Sequence, residues 1–64
     1  MDLWTEILSR DTKRITAAFQ RLNRSEKISV RAHLIKMTSE DGWHPEQVRS
    51  AAISLEAIKD LPDD

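Results

Sequence analysis

The sequence predicts an all-α fold, a small bundle of four short helices with the third helix central. Three observations lead there. Apolar residues recur at helical spacing in four stretches. Residues that cap or turn helices (Asp2, Ser9 to Asp11, Asn23 to Ser25, Gly42 to Pro45) precede or separate those stretches. Only one glycine occurs in 64 residues, so the chain has few points of free backbone reversal.

Asp2 is placed to cap a short first helix, its carboxylate near the free N–H groups of the first turn. Leu3, Trp4, Ile7 and Leu8 then share one face. Ser9 to Asp11 form a break, and either Ser9 or Asp11 suits the cap of a second helix over about residues 12–22. Its stripe is Ile15, Ala18, Phe19 and Leu22, an i, i+3, i+4, i+7 set.

A short connection, Asn23-Arg24-Ser25, leads into a third helix that runs to about residue 38. Asn23 with Glu26 has capping-box spacing, and Ser25 is an equally good cap. Gly42 then offers the left-handed backbone of a chain reversal. Pro45 fits the first turn of a fourth helix, where a missing N–H costs nothing, and Gln47 can reach back over it. Val48, Ala51, Ala52, Leu55 and Ile58 form the last stripe. Residues 1–61 therefore read as one helical domain, and 62–64 as a frayed acidic tail.

A chain of this length buries only about 60% of the surface its unfolded form exposes, and such a core rarely supplies more than roughly 3–5 kcal/mol. There is no cysteine to form a disulfide. His33 and His44 alone do not make a structural zinc site, so neither metal nor cofactor is expected. Oligomerisation is the remaining remedy. Apolar residues at 39% and charged residues at 33% suit a small folded domain. No apolar run approaches the roughly 20 residues of a membrane helix. Met1-Asp2-Leu3-Trp4 lacks the basic and apolar regions of a secretory signal. The expected location is the cytoplasm.

The third helix is apolar on two sides. Ile28, Ala32 and Ile35 line one face; Val30, Leu34 and Met37 line a face roughly opposite. Either both stripes are buried in one chain, or one packs on a partner. The small core favours a partner, as does Ile53, which faces away from the main stripe of the last helix. The residues expected at an interface are Val30, Leu34 and Met37, with Ile53 as an extension and Trp43 as a loop anchor. The second reading of Trp4 and Trp43 is structural, each ring covering an end of the core.

Charge is segregated along the chain. Residues 10–36 hold eight bases against Asp11 and Glu26, a net +6; residues 37–64 hold two bases against seven acids, a net −5. Arg10, Lys13, Arg14, Arg21 and Arg24 all project away from the second stripe if that helix extends far enough. Such a face is a solvated surface, a partner for the acidic last helix, or a phosphate-binding footprint. A nucleic-acid regulator using these five bases is therefore the alternative function. Leu22 to Ser25 followed by Val30, His33 and Leu34 has the outline of a helix-turn-helix. It departs from that motif in a turn without glycine and in Arg24 at a position the motif usually buries.

No catalytic constellation stands out. His33 lies between the two stripes of its helix, beside Arg31 and Lys36, with no carboxylate spaced to orient it. His44 in Gly42-Trp43-His44-Pro45-Glu46 reads as a cap of the last helix more readily than as an acid–base group with Asp41 or Glu46. The stretches Leu8-Ser9-Arg10-Asp11 through Phe19-Gln20-Arg21-Leu22 and Gly42-Trp43-His44-Pro45-Glu46-Gln47 resemble short all-helical bacterial proteins. That resemblance implies a stand-alone bacterial domain and no particular activity. The functional expectation is a non-enzymatic protein-interaction module that self-associates through its third helix, as a homodimer.

Overall fold

The computed structural model describes residues 2–63; Met1 and Asp64, at the ends of the expected domain and tail, lie outside the described residues. Four helices follow in order: α1 (Leu3–Ile7), α2 (Thr12–Gln20), α3 (Arg24–Ser39) and α4 (Pro45–Ile58). Each starts where a side chain satisfies its free N–H groups. Asp2 accepts from the backbone of Trp4 at 3.4 Å. Asp11 rather than Ser9 caps α2, accepting from Lys13 at 3.0 Å and Arg14 at 3.4 Å. At α3 the Asn23 box forms in full: Glu26 N–H donates to Asn23 at 2.8 Å, and Asn23 N–H donates back to Glu26 at 3.0 Å. At α4 the Nδ1 of His44 accepts from Glu46 N–H at 3.2 Å, while Gln47 accepts from His44 N–H at 3.1 Å.

Gly42 has φ +97, the left-handed backbone the reversal before α4 requires. α2 ends at Gln20, two residues short of the expected boundary, because Asn23 must already be extended to cap α3.

The core is built from all four helices: Ile7, Ile15, Ala18, Phe19, Val30, Leu34, Met37, Ala51 and Ile58. Burying each large aliphatic or aromatic member is worth about 1.5–3 kcal/mol. α4 packs against both α3 and α2, and α1 packs on α2. The third helix touches all the others. It meets α4 along its buried stripe. It lays Lys27 and Arg31 over the Phe19 ring of α2, and sets His33 at a tilt against Trp4 of α1.

The core face of α4 differs from the expected stripe. Ala52 is exposed, and Ser50 and Ser54 are buried beside Ala51 and Ile58. The reason lies in the N-terminal segment. Small serines let α1 and the link after it approach α4, and each hydroxyl is used there. Ser54 Oγ donates to the carbonyl of Ile7, at the end of α1. Ser50 Oγ accepts from Arg10 Nε at 3.0 Å. A larger apolar residue at either position would leave its partner without a hydrogen bond.

Arg31 also binds residues that follow α4. Arg31 Nε donates to Asp63 at 3.1 Å, and its Nη2 donates to the carbonyl of Leu61 at 2.9 Å.

Candidate interaction surface

The two stripes of α3 exchange their expected roles. Val30, Leu34 and Met37 are 4%, 0% and 2% exposed and lie inside this chain's own core. They are not available to a partner of the folded domain. Ile28 and Ile35, on the opposite stripe, are 47% and 50% exposed. Periodicity alone cannot orient a helix with two apolar stripes. Burial is decided by the neighbours, and the aromatic and charged residues between the stripes set the rotation.

Lys27 and Arg31 cover the Phe19 ring on one side of the buried stripe, at 5.8 and 5.2 Å from its centroid. On the other side His33 meets Trp4 at 4.9 Å and Trp43 edge-on at 5.7 Å. With both flanks fixed, the Val30, Leu34 and Met37 side points inward, and Ile28, Ala32 and Ile35 are left on the outer side.

That outer side is a ridge two turns long. Ile28 and Ile35 are seven residues apart, about 10 Å along the axis, with exposed Ala32 between them. They are the large apolar side chains most open to solvent among the described residues. Arg24 and Lys36 flank the ridge, both exposed and in no ion pair among the described residues. The only acid of α3, Glu26, is held in the capping box.

A second apolar feature lies on α4. Ala52, Ile53 and Ala57 form the floor of a shallow open groove, rimmed by Thr12, Arg49 and Glu56. Ile53 is half-buried and packs partly against the core, so it belongs to both the domain and its surface. Trp43 is half-buried against His33. That position supports its structural reading, a ring covering one end of the core.

The five bases expected to form one face are divided. Arg10 turns inward. It sits in the link between α1 and α2 with φ +66, an uncommon backbone for a residue with a Cβ. Its guanidinium grips the first turns of α4, through Ser50 Oγ, the Glu46 carbonyl at 3.1 Å and Glu46 Oε1 at 3.0 Å. The neighbouring Arg10 hydrogen bond, then its charge and that of Arg49, hold the Glu46 carboxyl below the usual carboxylate range. Lys13, Arg14, Arg21 and Arg24 are exposed. Arg14 lies 4.0 Å from Asp11, and Arg21 Nε donates to the carbonyl of Ala17 at 3.4 Å.

Among the described residues, no group of three histidines, cysteines or carboxylates gathers as a metal site, and no helix is long and apolar enough to cross a membrane. The chain matches no family model, no curated protein and no solved structure.

Proposed function

We propose that this chain is a non-enzymatic protein-interaction module of the cytoplasm that self-associates through its third helix, with a homodimer as the smallest assembly. The observation behind this reading is the Ile28–Ala32–Ile35 ridge. It exposes two isoleucines about half-way on a domain whose size leaves few large aliphatics to spare. Covering the ridge with a second copy supplies burial that one short core lacks.

The test is the native mass. Light scattering across a concentration series should show association in the parent protein, and Ile28→Ser with Ile35→Ser should abolish it without changing the circular dichroism. An associated double variant would remove α3 from the contact.

A second reading is nucleic-acid binding by Lys13, Arg14, Arg21 and Arg24, favoured by the exposure of all four on α2, its end and the start of α3. Arg10, engaged with Glu46 and Ser50, contributes less to it. This reading requires affinity for duplex or single-stranded oligonucleotides that falls linearly in log–log form with salt. No binding at low salt ends it.

A further inference from the structure

We infer that the segment before Arg10 exchanges between two copies of this chain, so that α1 of each fills the α1 seat of the other, with Arg10 as the hinge. This inference does not rest on the α3 contact. It names a different surface, the seat of α1, and a second copy as its partner.

The first argument is the element itself. α1 has five residues, far fewer than the roughly 12–15 that an isolated helix needs in water. Its order therefore comes from docking. The seat buries Ile7 completely, Ser54 Oγ donates to the Ile7 carbonyl, and His33 lies against Trp4. Open crevices run along both sides of α1, one against Ala18, Arg21 and Leu22, the other against Ser29 and His33. Bonds inside the element travel with it: Leu8 N–H donates to the Trp4 carbonyl at 2.9 Å, and Ser9 N–H to the Glu6 carbonyl at 3.3 Å. All these contacts are the same whether α1 comes from its own chain or from another copy. The seat thus selects its occupant, because a second copy carries the segment that already fits it.

The second argument is the link, where the two arrangements differ. Only residues 8–11 connect α1 to α2. Arg10, within them, has φ +66, a left-handed backbone that disfavours any residue with a Cβ. A short connection under strain invites exchange. The angle φ turns about the N–Cα bond. Rotating that bond to a negative, extended value swings residues 2–9 away as one body. The Arg10 side chain and everything after it stay in place. Its guanidinium therefore keeps Ser50 and Glu46 of its own α4, and Asp11 keeps its cap of α2. Within the link the bond given up is Asp11 N–H to Ser9 Oγ, 3.2 Å and at the surface, where water replaces it.

Exchange is reciprocal. Each chain gives one α1 and receives one, so the assembly closes at two copies with no seat left empty.

The test uses the full chain refolded from denaturant at high concentration, because α1 must leave its seat to exchange and two open chains must meet. Isotope-labelled and unlabelled protein are refolded together in equal amounts, and isotope-filtered NMR reads contacts between chains. The expected result is a dimer with Trp4 of one chain against His33 of the other. Arg10→Ala and Arg10→Gly both remove the guanidinium, but only glycine takes the left-handed backbone freely. Arg10→Gly should therefore dimerise at least about tenfold more weakly than Arg10→Ala. Monomer alone after refolding, or a dimer whose Trp4–His33 contact stays within each chain, overturns the inference. Equal dimerisation of the two Arg10 variants overturns the hinge. A parent dimer that lacks the intermolecular contact and is lost in the Ile28→Ser, Ile35→Ser variant overturns exchange and leaves the α3 reading standing. An exchanged dimer that persists in that variant supports exchange whatever becomes of the α3 ridge.

Discussion

Arg31 Nε donates to Asp63 Oδ1 at 3.1 Å, joining the middle of α3 to a residue 32 positions later. The same guanidinium donates to the carbonyls of Leu61 at 2.9 Å and Ile58 at 3.4 Å. These carbonyls lie at the negative end of α4, where a cation is favoured. Arg10 does the corresponding work at the other end, on Glu46 and Ser50. Two arginines from the basic part of the chain thus hold both ends of the acidic last helix. The segregation of charge is in part an internal fastening.

Arg31→Ala should destabilise the domain by about 2 kcal/mol, since hydrogen bonds to charged groups are worth about 1.5–3 kcal/mol and the half-exposed Asp63 reduces the ion-pair share. Arg31→Lys should recover little, because an ammonium cannot reproduce the forked donors. Urea denaturation monitored by circular dichroism measures both.

Ser54→Ala removes the hydroxyl that donates to the carbonyl of Ile7 at the buried end of α1. Leaving that carbonyl without a partner should cost about 1–3 kcal/mol. The loss should appear as undocking of α1, seen as a change in tryptophan fluorescence, because Trp4 rests on His33 only while α1 is seated.

Glu46 gives a pH dependence of definite sign. Its carboxyl is held below the usual range, chiefly by the Arg10 hydrogen bond. A depressed folded-state pKa contributes stability above the ordinary glutamate range, and that contribution is lost as the pH falls through the lowered value. Arg10→Gln should return the Glu46 titration, followed by NMR, toward the ordinary range. It should also remove that acid-side loss. An unchanged Glu46 titration would show that Arg10 does not grip α4 in solution.

The helices, their order and most of their caps were legible in the sequence, because caps depend on residues within one turn of each other. Asn23 with Glu26, and Gln47 behind Pro45, needed no tertiary information. The rotation of α3 was not legible. Its two stripes are nearly equal in apolar content, and the choice is made by Phe19, Trp4 and Trp43, residues distant in sequence. The pattern therefore points to Val30, Leu34 and Met37 as the interface set, whereas the structure buries these three and leaves Ile28 and Ile35 exposed. The burial of Ser50 and Ser54 is illegible for a similar reason, since a serine on a helix signals burial only once its distant partner is known. The exposed groove at Ala52, Ile53 and Ala57 had one signal, the off-stripe position of Ile53.

The rotation of α3 is the claim on which the interaction surface depends, and one pair of variants tests it. Leu34→Glu places an unpaired charge in a site that is 0% exposed, whereas Ile35→Glu places the same charge on the half-exposed ridge. Thermal unfolding by circular dichroism should find Leu34→Glu unfolded at room temperature, and Ile35→Glu folded with a melting temperature near that of the parent. A folded Leu34→Glu beside an unfolded Ile35→Glu would contradict the account, because the ridge would then be the core.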